Sequence, residues 1–301
     1  MNEIHNTTSM PITSNRVRDI EKYYVDSLAG IYPEGEIKMF VRMLFEDIMG
    51  WSHAELLINR DTTVNQSDLL RFYWAAEDLK RYRPIQHIVG YVDFCGCRIG
   101  VDKTTLIPRP ETEEIVMSVF DKLSERPPRR VLDLCTGSGC IAIAVAKHWR
   151  EAEVTAVDVS SEALAKARQN ADSNNVEVRF VKKDLLEERE YRDFELYDLI
   201  ISNPPYVKES ERREMSRNVL DWEPECALFV SDSDPLLFYR AIAKIAETHL
   251  SADGLMVLEI NEKLGEAMAR LLTERGFNAT IYNDFRGRRR SVMAKKEGSQ
   301  M

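Results

Sequence analysis

The sequence has little that would mark an exported, membrane-bound or metal-binding protein. Its five cysteines, Cys95, Cys97, Cys135, Cys140 and Cys226, are odd in number and include no Cys-x-x-Cys pair, and its five histidines are scattered. The spacing gives neither a disulfide framework nor a zinc site, so reduced, mostly packed thiols and no metal are expected; a redox role for Cys95 and Cys97 stays open. No apolar run approaches the roughly 20 residues of a membrane span, and the polar N-terminus through Asn15 has no signal-peptide core. A soluble cytoplasmic protein is expected. Positive charge is also in deficit: 41 Lys and Arg stand against 50 Asp and Glu, a net charge of −9. Neutralising phosphates requires the opposite balance, which argues against direct nucleic-acid or membrane binding.

What is present begins with Asn203-Pro204-Pro205-Tyr206, which follows the apolar strand-like run Tyr197-Asp198-Leu199-Ile200-Ile201-Ser202. Each proline fixes its own φ, lacks an N–H and pushes the residue before it toward extended geometry. The side-chain carbonyl of Asn203 and the main-chain carbonyl of Pro204 then converge as acceptors for the two hydrogens of one planar NH2 group. Tyr206 offers a flat face beside them. Transfer of a group to that nitrogen is the chemistry such a clamp suits; a strand ending in a Pro-Pro turn with a packed tyrosine is the structural alternative.

Upstream, Val131-Leu132-Asp133-Leu134 leads through Cys135-Thr136-Gly137-Ser138-Gly139 into the apolar helical run that opens at Cys140. Glycines at 137 and 139 permit close backbone approach to a ligand, and a helix start presents unpaired N–H groups to it. A second strand ends in Asp158, about 20 residues beyond the glycines, where a carboxylate accepts hydrogen bonds from ribose hydroxyls. This turn alone also satisfies a dinucleotide pattern and admits an NAD oxidoreductase. Hydride transfer has no use for paired acceptors around an NH2 group, whereas methyl transfer from S-adenosylmethionine to nitrogen does.

Around these motifs the periodicity changes near residue 85. Before it, Ile37, Phe40, Val41, Leu44, Phe45 and Ile48 predict one helical face and Leu69, Leu70, Tyr73, Trp74 and Leu79 a second, with Pro33 and Gly50 at the helix ends. Residues 1–85 are expected to form a helical domain and 86–110 a β-hairpin linker around Tyr91–Phe94 and Cys97–Ile99. From 111 to 301, a helix over 111–123 and a Pro127-Pro128 break precede seven strands alternating with helices: 131–134, 154–159, 177–181, 198–202, 255–260, 279–282 and 291–294. That alternation predicts an α/β, doubly wound sheet with ligands at the carboxyl ends of its strands.

With both motifs in hand, the chain resembles the HemK family of peptide chain release factor N5-glutamine methyltransferases. The resemblance runs through Thr105-Leu106-Ile107-Pro108-Arg109-Pro110-Glu111-Thr112-Glu113, the turn from Asp133 to Gly139, Asp158, Asp184, the tetrapeptide at Asn203, Glu223-Pro224 with Ala227-Leu228, and Gly287 with Arg290. It implies a seven-stranded Rossmann-like methyltransferase sheet whose last strand is antiparallel. It also implies S-adenosylmethionine as cofactor, a class I release factor as partner and the glutamine of its Gly-Gly-Gln motif as methyl acceptor. The chain departs from the family at Cys135 and Asn261, where glycine is common, and at Leu185, where some members carry tryptophan.

The candidate catalytic residues are Asn203, Pro204, Pro205 and Tyr206, which would also bind substrate together with Arg109 and Glu111. Candidate cofactor residues are Cys135, Thr136, Gly137, Ser138, Gly139, Asp158, Asp184, Leu185 and Asn203. Asp133 bonds either the turn's backbone or the cofactor's amino-acid end. Arg109 and Glu111 have a salt-bridged helix start as their structural alternative. The basic run Arg286, Arg288, Arg289, Arg290 reads better as a solvated hairpin end than as an RNA contact. No general base is assigned. A ribosomal-protein glutamine, an exocyclic nucleobase nitrogen and a non-catalytic binding module are the competing readings.

Overall fold

The computed structural model describes residues 12 and 14–298, and the chain divides after Val89 into two compact units. The first contains α1 (Val17–Leu28), α2 (Glu34–Met49), α3 (His53–Ile58), α4 (Gln66–Lys80) and α5 (Ile85–Val89). Pro33 precedes the first residue of α2, and Gly50 closes it with φ +69°, a left-handed stop that costs glycine nothing. The expected face of α2 is buried from Ile37 to Phe45. The expected face of α4 is rotated in the structure. Leu69, Phe72, Ala75, Ala76 and Leu79 are buried, whereas Leu70 and Trp74 are 39% and 60% exposed. At 3.6 residues per turn Leu69, Phe72, Ala76 and Leu79 fall on one stripe, which the expected face missed by leaving out Phe72 and the alanines. Phe72 meets Phe45 with ring centroids 4.4 Å apart, and the Tyr24 hydroxyl donates to the Phe72 carbonyl.

The second unit opens with the hairpin β1 (Tyr91–Phe94) and β2 (Cys97–Gly100), then α6 (Pro110–Lys122). Strands and helices follow in alternation: β3 (Arg130–Leu134), α7 (Cys140–His148), β4 (Glu153–Asp158), α8 (Ser161–Asn174), β5 (Arg179–Lys182) and β6 (Tyr197–Ser202). A short excursion holds β7 (Val207–Lys208), α9 (Arg217–Leu220) and β8 (Phe229–Val230) before α10 (Leu237–His249), β9 (Leu250–Glu259), α11 (Gly265–Thr273), β10 (Phe277–Asn283) and β11 (Arg289–Lys296). Seven strands form one sheet in the order β10-β11-β9-β6-β3-β4-β5, parallel except that β11 runs antiparallel to both neighbours. All seven expected strands are there. The paired β7 and β8, two residues each, were not foreseen, being too short for any periodicity to register.

Both faces of the sheet are covered, so its central strands are apolar almost throughout. Leu199, Ile201, Leu255 and Val257 face one core with Val116, Val119 and the α7 residues; Ile200, Met256 and Leu258 face the other with Tyr239 and Ile242. The hairpin is tied to this frame by a buried asparagine. Asn170 on α8 accepts from the Gly100 amide (2.9 Å) and donates to the carbonyls of Gly100 (3.0 Å) and Ser138 (2.9 Å). One amide side chain thus links β2, α8 and the glycine turn.

Replacing Asn170 with alanine strands these backbone groups away from water. The expected outcome is a loss of about 1–3 kcal/mol, read in urea unfolding as a lower midpoint at unchanged slope.

Candidate active site

The turn between β3 and α7 is held from below by two carboxylates. Asp133, fully buried, accepts from the Thr136 hydroxyl at 2.5 Å; burial pushes its carboxyl up to about 7, against the hydrogen bonds from Thr136 and the Ala142 amide. Asp158, at the end of β4, accepts from the amides of Gly137 (2.8 Å) and Ser160 (2.9 Å), and burial raises its pKa as well. Asp133 thus meets the turn through the Thr136 hydroxyl, and its Oδ1 has no partner among the described residues. Cys135 adopts φ +60°, which accounts for the glycine common at this position: the chain bends here through the left-handed region.

Above the turn lies a cleft enclosing about 940 Å³ of non-atom space. Cys135, Thr136, Gly137, Ser138, Asp158, Asp184, Leu185 and Asn203, all expected from the sequence to meet a cofactor, line it. Gly139 does not line the cleft. A Cβ there would meet Ala167 Cβ at 3.0 Å and Ile143 Cδ1 at 3.1 Å, so this glycine, at φ +81°, serves the packing of α7 against α8. Thr105 also borders the cleft, and its buried hydroxyl has no hydrogen-bond partner among the described residues. An elongated nucleoside ligand fits this lining. Asp158 offers spare acceptor capacity at the β4 end, Asp184 and Leu185 flank the β5 end, and the start of α7 borders the cleft through Cys140 and Ile141.

A second, more apolar cavity enclosing about 650 Å³ of non-atom space lies alongside, bordered by Arg109, Pro204, Tyr206 and Met215. Leu106, Asn203 and Ala227 border both cavities. Asn203 Nδ2 donates to Thr112 Oγ1 at 3.1 Å, and among the described residues no group donates to its Oδ1 or to the Pro204 carbonyl. Tyr206 borders only the second cavity, with its hydroxyl donating to Glu259 Oε1 at 2.8 Å. Pro205 lies on the first.

Arg109 pairs with the buried Glu223 at 2.5 Å, and Glu223 also accepts from the Ile107 amide at 3.0 Å. The Arg109 ion pair therefore reaches 114 residues along the chain instead of closing the start of α6. Glu111 borders neither cavity; its charge bears on Glu259 and Arg290. The basic run near the C-terminus is only partly solvated. Arg288 and Arg289 pair with Glu262 and Glu266 at the surface, whereas Arg290 points inward to Asp284 at 3.4 Å. Gly287, at φ +78°, makes the turn that permits this. Asn261 donates to the Tyr206 carbonyl (3.3 Å) and to Glu211 (2.9 Å), uses a glycine lacks.

The sequence reading quoted Thr112 and Glu223 within motifs without giving them roles, and it gave none to Glu259 inside the strand expected over 255–260, which in the structure ends at Glu259. The one signal available was an acid ending an otherwise apolar strand. Burial raises the Glu259 pKa, opposed by hydrogen bonds from Thr112 and Tyr206 and by the positive charge of Arg290. Among the described residues no group of His, Cys, Asp and Glu could hold a metal ion, and no helix is long and apolar enough to cross a membrane.

For Asp133 the unfolded chain ionises near the ordinary 3.8 and the folded chain near about 7, so the folded state carries the extra proton between them. Stability should therefore fall as pH rises from about 4 to about 7. Asp133→Asn, compared with the wild type by urea unfolding across that window, is expected to lose this part of the slope.

Comparison with known proteins agrees with the geometry. Residues 113–221 match the family Methyltransferase small domain and residues 24–90 the PrmC N-terminal domain. The chain is 39% identical to the release factor glutamine methyltransferase of Flavobacterium psychrophilum over 92% of its own length and 98% of the relative's. It is also 39% identical to that of Bacteroides thetaiotaomicron, over 92% and 99%. A methyltransferase structure from Pyrococcus furiosus shares the fold at 19% identity and a TM-score of 0.50, covering 78% of this chain and all of that one. The chain belongs to the release factor glutamine methyltransferase family.

Proposed function

We propose that the protein transfers a methyl group from S-adenosylmethionine to the side-chain amide nitrogen of a glutamine in a class I peptide chain release factor, at its Gly-Gly-Gln motif. The observation that carries this reading is the free pair of acceptors, Asn203 Oδ1 and the Pro204 carbonyl, where the two cavities adjoin. An NH2 group donating to both is held in its own plane with its nitrogen turned toward the cleft above the glycine turn. Tyr206 borders the acceptor side, its ring fixed by the bond to Glu259.

When bound, the cofactor would supply an activated methyl on a sulfonium, whose C–S bond would break with its electron pair left on sulfur as the N–C bond forms, and one N–H proton would pass to water. The residues of this chain act by position and charge. Asp158 and the amides at the start of α7 hold the nucleoside end, and Asp184 with Leu185 frames the base. Asn203 and Pro204 accept from the amide hydrogens, which carry more positive charge as the nitrogen reacts, so these contacts strengthen along the reaction. Orientation of a poor nucleophile supplies much of the rate.

The apolar second cavity suits the chain flanking a glutamine, and the match of residues 24–90 to the PrmC N-terminal domain favours the helical unit as a docking element for the release factor. Such a substrate would place the protein in the cytoplasm. A nucleobase acceptor fits the same clamp, but a net charge of −9 opposes the phosphate contacts it needs.

Two substitutions test the assignment. Asn203→Ala should leave S-adenosylmethionine affinity, measured by calorimetry, within about twofold while single-turnover methylation of a release factor falls roughly 10²-fold or more. Near wild-type methylation by a folded variant would refute the clamp. Asp158→Ala should weaken cofactor binding by about 1.5–3 kcal/mol, and unchanged affinity would leave Asp158 only the turn to hold.

A further inference from the structure

Behind the acceptor pair lies a chain of hydrogen bonds with a single direction. Glu259 ends β9 on the same face as Leu255 and Val257, so strand alternation aims its carboxylate toward α6. It is 3% exposed and receives two hydroxyl donors: Tyr206 at Oε1 (2.8 Å) and Thr112 at Oε2 (2.6 Å). Its own main-chain carbonyl accepts from the Tyr239 hydroxyl at 3.1 Å. Both of its oxygens accept from hydroxyl donors, and these bonds and the positive charge of Arg290 oppose the rise that burial gives its pKa.

A threonine hydroxyl has one hydrogen. Once that hydrogen is committed to Glu259, Thr112 Oγ1 can only accept, and the group facing it at 3.1 Å is the side-chain amide of Asn203. An asparagine amide can present either its oxygen or its NH2 at a given point, and the two orientations have almost the same shape. Against an acceptor only the NH2 is tolerated. The oxygen of Asn203 is thereby turned to the cavities, where an acceptor is required; the reversed amide would oppose its own NH2 to the substrate's.

We infer that Thr112 and Glu259 are positioning residues which fix the amide orientation of Asn203 through the relay Glu259–Thr112–Asn203, and so select an NH2-bearing acceptor over one that can only accept hydrogen bonds. The inference rests on the reading of Asn203 as the substrate clamp. It assigns functions to a threonine that sits one turn into a helix and to a glutamate at a strand end, neither of which need touch the substrate.

The test is a double-substitution cycle in the full-length protein, using single-turnover methylation of a purified release factor, calorimetry with S-adenosylmethionine, and thermal melts. Thr112→Val keeps the side-chain shape and removes the oxygen. It should lower methyl transfer roughly 10- to 100-fold with cofactor affinity within about twofold. Thr112→Ser keeps the hydroxyl and should stay within about threefold of the wild type. In an Asn203→Ala background Thr112→Val should cost nothing more, because no amide is left to orient. Should the valine variant melt early, Thr112→Cys, of similar volume and a poor acceptor, is read in the same way. The relay is overturned if folded Thr112→Val transfers methyl within about threefold of the wild type, or if its loss persists undiminished beside Asn203→Ala. Wild-type rates in Asn203→Ala alone would instead remove the clamp reading, so the two failures are told apart.

Discussion

The site depends on the parallel pairing of β3 with β6. Their register sets Leu134 beside Ser202, and the Ser202 hydroxyl donates to the Leu134 carbonyl at 2.5 Å, closing the pair at its carboxyl end. The next residue on each strand is a functional one: Cys135 begins the glycine turn and Asn203 begins the acceptor loop. Because β4 and β5 continue the sheet on one side and β9 on the other, chain connections diverge at this pair and leave a crevice above it. A register slip of one residue would turn Asp133 to the opposite core and move Asn203 off the turn.

Buried and half-buried carboxylates are what shape that crevice, and each accepts from at least one donor, while of the described residues' buried carboxylate oxygens only Asp133 Oδ1 has no partner. Asp133 and Asp158 hold the turn, Glu223 fastens the loop before α6, and Glu259 gathers two hydroxyls. A buried polar group without a partner costs about 1–3 kcal/mol, more for a charge, so these contacts define one arrangement of loops that would otherwise be free to shift. The same logic accounts for Arg290. Its guanidinium reaches Asp284 and lends positive charge near Tyr206 and Glu259, which a solvated arginine would not do. Acidic residues thus do in this protein, through donors drawn from distant segments, what a basic surface does in proteins that bind phosphate.

Local signals made much of this legible. Pro33 and Gly50 bracket α2, seven apolar runs give the seven strands, and Asn203 to Tyr206 follows a strand as expected. The face expected of α4 counted only large apolar residues, whereas the buried stripe includes Ala75, Ala76 and Phe72 and leaves Trp74 outside. Gly139 was read as a ligand-facing glycine and turns out to make room for Ala167. Both errors have one source: what a side chain faces is set by its neighbours across space.

The sequence by itself determined the elements, the order in which they alternate and the residue types at the ends of the strands, since dihedral preferences and apolar periodicity act over a few residues. Only the tertiary structure decided which of those ends meet. Thr112 and Glu259 are 147 positions apart and Arg109 and Glu223 are 114 apart, separations at which no local periodicity carries information. Their contacts exist because the parallel register brings strand ends to one edge and the hydrophobic cores fix α6 above them, and it is there that the direction of each hydrogen bond is set.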